Sequence, residues 1–312
     1  MAKKSNRVVL LAKIEATEGT DPVPVVASDA MLANIKNVQP LVTETAQRDL
    51  TRPFFGATGV TTVAQSSMIE FDVEYAGSGA AGTAPAFKSL LLACATSENV
   101  TLSVKVDYAL ITDSTKTVTL YYYLDGLLHK FIGCRGNASF QLNAKGIPVI
   151  SFKFWGTYTA ATDDTFPAIT GTTYNAFKDP MGVNKTNTPT LTLHTVALNA
   201  SSVSFDLGNN IVVRNLIGLD AIDIVGRNTT GSVTFEMTSV ATKAWHEVMR
   251  LNTIGAFALT HGVGAGKIIE VTSSKVQINS LEYSDQDGVK MCTAGLTFIP
   301  AAGSDELLIT FK

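Results

Sequence analysis

The sequence predicts a mainly β protein made of two related halves, each with one short helix flanking its strands. Three observations carry this. Segments alternate apolar and polar residues with period 2, as half-buried strands do: Ile69, Phe71, Val73 and Tyr75 share one face, while Glu70, Asp72 and Glu74 take the other. Tight-turn signals separate such segments, notably Asp125-Gly126 and Asp285-Gln286-Asp287-Gly288. One order of elements also occurs twice. Arg48-Asp49-Leu50 answers to Arg214-Asn215-Leu216, and the strand 68–74 answers to 232–237. The helical pattern 85–91 answers to 243–249, and the strand pair 139–142 with 147–152 answers to 275–278 with 289–294. Two copies of one β-rich domain related by an approximate axis are the building plan of an assembly, and point away from a single catalytic pocket.

Along the chain, residues 1–30 read as an N-terminal arm, with a strand at 8–16 and a loop at 17–24 whose Gly19, Pro22 and Pro24 exclude regular helix. The first domain occupies 31–160. It opens on a strand at 30–41, then a long loop or extended hairpin at 49–65 that carries the adjacent aromatics Phe54 and Phe55. Residues 77–82 form a small-residue loop without a phosphate-loop signature, and 86–95 form a helix. Strands follow at 102–108, 117–124 and 128–134; the first strand of the Asp125-Gly126 hairpin contains Tyr121-Tyr122-Tyr123 and is expected to expose at least one ring. Residues 161–189, rich in Thr, Asp, Asn, Pro and Gly, read as a linker. The second domain, 190–312, has strands at 190–198 and 202–207, a loop at 217–231, a helix at 241–251 and a final strand at 307–311.

At 312 residues the chain accommodates two domains with their own cores. Charged residues are 16% of it, against the roughly 25% usual for soluble domains, while apolar content is ordinary. Such a chain is expected to hide much of its surface against other chains. Net charge is −3, and no basic run is long enough to grip nucleic acid; Lys3, Lys4 and Arg7 read as a solvated tail. Cys94, Cys134 and Cys292 match no disulfide or metal framework and read as buried thiols in a reducing cytoplasm. The apolar run 8–12 is too short for a signal peptide and no stretch suits a membrane span.

No catalytic constellation emerges. His129, His194, His246 and His261 are scattered, Asp163-Asp164 and Asp285/Asp287 sit where turns favour Asp, and no nucleophile-elbow pattern occurs. No catalytic, cofactor or metal residue is assigned. The residues that remain are interface candidates: Arg48, Asp49, Arg52, Phe54 and Phe55 in the first long loop, and Arg214 and Asn215 before the second. Each charged one taken singly reads equally well as local turn chemistry, but recurrence in both halves favours contacts between subunits. The two phenylalanines lie in Gly- and Thr-rich surroundings that offer little core, which favours docking onto a partner.

The run Leu11-Ala12-Lys13-Ile14-Glu15-Ala16-Thr17-Glu18-Gly19-Thr20-Asp21-Pro22-Val23-Pro24 resembles the start of major tail tube proteins of long, non-contractile-tailed bacteriophages. Glu44 with residues 48–56, residues 70–79, Ser204-Phe205-Asp206-Leu207-Gly208-Asn209 and residues 230–234 are similar to later blocks of that family in the same order. The resemblance implies a β-sandwich or barrel-like tube domain with one flanking helix, in duplicate. It implies six-fold rings, here three chains of two domains, stacked around a channel that conducts DNA to the host. The long loops and the segment before Ala30 would join successive rings. The implied partners are further copies of the chain, tape-measure, tail-tip and tail-terminator proteins, and DNA that slides without specific binding. No cofactor and no membrane are implied, and the location is the virion tail, assembled in the host cytoplasm. Glu70, Asp72 and Glu74 are the lumen candidates. The competing reading is a β-rich decoration or receptor-binding protein that does not stack.

Overall fold

Alternation of β-branched and aromatic residues with polar ones decides most of the secondary structure, as their fit to a half-buried pleated surface requires. The computed structural model describes residues 3–312. It begins with β1 (Val8–Ile14), the single turn α1 (Val26–Asp29) and β2 (Ala30–Met31). β3 (Asn34–Gln47) and β4 (Val60–Glu74) form a long hairpin. After α2 (Lys88–Leu92) come the hairpin β5 (Thr96–Thr101) and β6 (Lys105–Leu110), then the meander β7 (Val118–Leu124), β8 (Leu127–Asn143) and β9 (Val149–Thr157). The connecting segment holds β10 (Thr162–Asp163) and a 3-10 turn (Gly171–Tyr174). The second half contains β11 (Thr190–Leu193), β12 (Val196–Ala197) and β13 (Ala200–Asp206), and then a second long hairpin, β14 (Asn209–Leu216) with β15 (Leu219–Arg227). β16 (Thr230–Glu236), α3 (Trp245–Arg250), β17 (Ile254–His261), β18 (Ile269–Gln286), β19 (Val289–Phe298) and β20 (Leu308–Phe311) complete the chain.

The sheet registers display the duplication directly. In the first half the order is β3-β4-β9-β8, all antiparallel, and in the second it is β13-β16-β19-β18. Phe71 lies opposite Ile35 and Phe152; Phe235 lies opposite Ala200 and Cys292. Aligned on these pairs, both halves carry a register shift at the same place, between Ile35 and Asn37 and between Ala200 and Ser202. The same alignment matches Ser139 with Ser284, so the strand following the helix corresponds differently from the sequence expectation that paired 139–142 with 275–278. The bulge between Ile278 and Ser280 inverts the alternation partway along β18, so local apolar spacing does not locate the matching stretch; cross-strand partners do.

β8 joins the halves. Its last residues pair with β9 on one side and with β13 on the other, Phe140 opposite Phe205 and Gln141 opposite Ser204. One continuous eight-stranded array results, β3-β4-β9-β8-β13-β16-β19-β18. At the seam the Phe140 and Phe205 rings stack at 4.5 Å with planes 14° apart. A second link lies in the covering layer, where β20 pairs with β6 of the first half and β18 of the second. One buried cluster accordingly runs through both halves, including Phe71, Phe140, Phe154, Phe205, Phe235 and Trp245.

Two strands change layers by bending. β8 pairs with β7 at its start, shifts register between Ile132 and Arg135, and then joins the eight-stranded array. Gly133 supplies the left-handed backbone (φ 64°) at this bend. β18 does the same, pairing first with β17 and β20 and then with β19, with a shift between Ile278 and Ser280. Bulged corners of this kind let one strand serve both layers of a sandwich. The bend in β8 is held by the buried Glu15 carboxylate. It accepts the Gly133 N–H at 2.7 Å, the Thr117 and Thr119 hydroxyls at 2.7 and 2.6 Å, and the Gly19 N–H at 2.8 Å.

Several local expectations need correction. Leu102–Val104 is a turn, with Ser103 in left-handed backbone (φ 57°), between two strands rather than the start of one. The first helix is limited to Lys88–Leu92. All three rings of Tyr121-Tyr122-Tyr123 are buried, at 3%, 8% and 8% exposure. Phe166, Ile169 and Tyr174 of the connecting segment cover Tyr121 and Tyr123, so a segment read as a linker is a packed lid. β1 pairs with β7 along its whole length, and Val9–Ala12 are buried. That part of the expected arm is therefore committed to its own chain.

Two predictions arise from this packing. Phe205→Ala removes one ring of the seam from a fully buried site and is expected to cost about 3–5 kcal/mol in equilibrium urea unfolding. The second concerns Asp21, which anchors the loop after β1. Burial alone would raise its pKa, but hydrogen bonds from the Tyr121 hydroxyl, the Val23 N–H and Lys130 (3.1 Å) together hold it below the usual carboxylate value. A depressed folded pKa stabilises above the unfolded value of about 3.9 and loses that contribution as pH falls further. Limited proteolysis within residues 17–25 should accelerate below pH about 4, and Asp21→Asn should be fast at both pH 3 and pH 6.

Candidate assembly interfaces

Strand alternation gives the eight-stranded array one face in the core and one open face. On the open face, polar residues stand directly opposite one another. Glu70 faces Lys153 at 2.7 Å, and Asp72 accepts the Ser151 hydroxyl at 2.7 Å and Lys36 at 3.0 Å. Across the seam, Asn137 donates to Asp206 at 2.7 Å, and Gln141 and Asn143 stand opposite Ser204 and Ser202. In the second half the Thr234 and Thr293 hydroxyls meet at 2.9 Å, and Asn279 donates to Thr297 at 2.9 Å. The three acidic candidates Glu70, Asp72 and Glu74 thus lie on this open face. Glu70 and Asp72 are each neutralised by a lysine, and among the described residues Glu74 has no ion-pair partner. Exposed pairs of this kind contribute only about 0–1 kcal/mol each, so their effect is on surface potential more than on stability.

Both ends of the array are open edges. β3 pairs only with β4, and the last residues of β18 pair only with β19 among the described residues. Exposed edges of this length invite pairing with another chain.

The two long hairpins extend from the same end of the array. Arg48, Asp49, Arg52, Phe54 and Phe55 all lie in the loop between β3 and β4. Phe54 is 66% exposed and Phe55 fully so, with the Arg52 guanidinium 6.0 Å from the Phe54 ring. Among the described residues, Arg48, Asp49 and Arg52 form no ion pair. Arg214 and Asn215 sit at the top of β14, before the two-residue turn Ile217-Gly218. They are satisfied locally: Arg214 pairs with Asp223 at 2.8 Å, and Asn215 donates to Asp220 at 2.8 Å and to the Gln65 carbonyl at 3.2 Å. The last bond brings the second hairpin against the first. The two arginine motifs that correspond in sequence therefore differ in state: Arg214 is ion-paired, and among the described residues Arg48 and Arg52 are not.

Arg135 was not singled out from the sequence and organises this region. Its side chain is 7% exposed. It donates two parallel hydrogen bonds to Glu18 at 2.7 and 2.8 Å, one to Thr115 at 3.1 Å and one to the Ile222 carbonyl of β15. Ile222 itself is buried. Arg135 so clamps the second hairpin and the loop after β1 onto the bend of β8. The available signal was a charged residue set between the buried Cys134 and Gly136.

The histidines are structural in geometry. Burial lowers the pKa of His194, whose Nε2 lies 3.0 Å from the Val276 carbonyl, and of His261, set between Thr188 and the Met181 carbonyl. Among the described residues no group of three or more His, Cys, Asp or Glu is placed to hold a metal ion.

A chain with a polar sheet face, two open edges and projecting hairpins belongs to the class of structural β subunits that associate with one another. The family model described as phage tail tube protein matches residues 5–300, so the chain belongs to that family. Its role is structural, in the tail tube of a virion, and membership implies self-assembly into a tube. No curated protein matches the chain.

Arg135→Ala would leave Glu18 and the Ile222 carbonyl without their donor. The expected outcome is a loss of about 1–3 kcal/mol. Amide hydrogen exchange should accelerate selectively across 209–227, with the β3-β4-β9-β8 amides little changed.

Proposed function

We propose that three copies of this chain close into a ring of six similar halves, with the open sheet faces lining a channel, and that rings stack into a tube that conducts DNA from capsid to host. One observation carries the reading. The β8–β13 seam is a junction between the last strand of one half and the first strand of the next. β18 and β3 are the corresponding strands, and both have open edges. A junction of the same kind between neighbouring copies uses up both open edges of the eight-stranded array and closes it. The six-fold plan is what the family resemblance implies, and two halves per chain reduce it to three chains. Residues 31–160 and 190–312 are the two tube domains of this reading, with 161–189 connecting them.

The channel wall would act physically, not chemically. Its hydroxyls and amides stand opposite one another across strands, and Lys36 and Lys153 are held by Asp72 and Glu70. No free basic stripe is left to exchange counterions with phosphate, so DNA moves without being gripped. Glu70, Asp72 and Glu74 line that wall in this reading. Tape-measure, tail-tip and tail-terminator proteins would set the length and ends of the tube, with assembly in the host cytoplasm.

The repeat alignment also gives the register between copies. Gln141 corresponds to Gln286 and Ser204 to Gln39, so Gln286 of one copy should face Gln39 of the next. The variant carrying Gln39→Cys and Gln286→Cys is expected to form a covalent, cyclic trimer under oxidation, resolved on a non-reducing gel, while either single variant stays monomeric there. The chain's own cysteines are buried and do not interfere. Rings of another order in electron micrographs, or no cross-link in assembled tubes, would sink the three-chain scheme.

A further inference from the structure

At the end of the array opposite the hairpin tips, a groove of about 940 Å³ opens between the two halves. It is framed by the end of β8, the starts of β13 and β19, and the connecting segment, with Leu142, Leu198 and Met291 among its lining residues. All three are buried at its base. Around it stand the charged side chains Lys185, Glu236 and Asp287. The registers fix its position: Asn143 lies opposite Ser202, and Glu236 opposite Met291, at the strand ends away from the tips.

We infer that this groove is the socket for the β3–β4 hairpin tip of a second copy of the chain, with Phe54 and Phe55 filling it. The inference rests on the tube reading above and deepens it by naming both sides of the contact between rings. Three observations select this occupant. The tip carries two adjacent, exposed phenylalanines together with exposed Leu50, an apolar load its own chain leaves uncovered. Phenylalanine anchors of this kind bury about 150–250 Å² each when seated in a pocket. The charges are complementary: Arg48 and Arg52 on the tip match Glu236 and Asp287 at the groove, and Asp49 matches Lys185. Tip and groove also lie at opposite ends of one sheet. A contact between unlike surfaces at opposite ends is heterologous, and repetition of it propagates without closing, as a filament requires. The β14–β15 tip is the weaker candidate because its Arg214 and Asn215 are already bound within the chain.

The test uses charge reversal in the full-length chain. Arg48→Glu with Arg52→Glu reverses the tip; Glu236→Lys with Asp287→Lys reverses the groove. Each variant alone should lose tubes and retain rings by negative-stain electron microscopy and sedimentation. Mixing the two should restore tubes, since reversed tips then meet reversed grooves and native tips meet native grooves in alternation. Restoration is an outcome that misfolded variants cannot give. Phe54→Ala with Phe55→Ala should likewise give rings without tubes. Full-length tubes from either reversed variant, or folded rings that fail to stack on mixing, overturn the socket while leaving the ring reading intact. A wild-type chain that makes neither rings nor tubes overturns both.

Discussion

The backbone pairing of β8 with β13 is the constraint on which the rest of the molecule depends. Each half alone is a four-stranded sheet with two open edges. Pairing Ser139–Asn143 with Ser202–Asp206 removes one edge from each half and brings Phe140 against Phe205 in the same step. Hydrogen-bond satisfaction and apolar burial are thereby achieved by the same residues, and alternation forces the polar members of those strands onto the opposite face. The open polar face is thus a consequence of the seam: once Phe205 is inward, Ser204 and Asp206 are outward.

The bends of β8 and β18 extend this logic into the second layer. A strand that stays in one sheet needs other strands to cover its apolar face, whereas a strand that turns a corner covers the face it has just left. The cost of the turn is a stretch of unpaired backbone, offset in β8 by Gly133 and by the Glu15 carboxylate that collects four donors. Arg135 sits one residue beyond the bend region's Cys134 and uses the same irregularity to hold the second hairpin. A buried carboxylate and a buried guanidinium are therefore the polar fixtures that keep the two layers and the hairpin in one arrangement.

The distribution of charge differs between the open sheet face and the ends of the array. Along the open face, Glu70 and Asp72 are paired with Lys153 and Lys36, which flattens the local potential of that surface. At the β3–β4 tip, Arg48, Asp49 and Arg52 form no ion pair among the described residues and stand beside Phe54 and Phe55, while the opposite end of the array carries Lys185, Glu236 and Asp287. Exposed aromatics clustered beside charges are the usual composition of a surface that another chain covers.

The sequence by itself determined the β character, the doubling and the exposure of the Phe54-Phe55 loop, because these depend on local periodicity, turn chemistry and order along the chain. The acidic residues Glu70, Asp72 and Glu74 were legible as one face of a strand for the same reason. Only the tertiary structure decided which strands of the two halves correspond. The counterpart of Ser139 is Ser284, beyond the bulge between Ile278 and Ser280 that interrupts the two-residue alternation of β18, so local spacing does not locate it and cross-strand partners do. It also decided that Tyr121, Tyr122 and Tyr123 are all covered, since the lid over two of them comes from residues more than forty positions away. The clamp at Arg135 was illegible for the same physical reason: its partners Glu18 and Ile222 are brought together by two bends and a seam, and no local pattern records a contact made across three separate segments of chain.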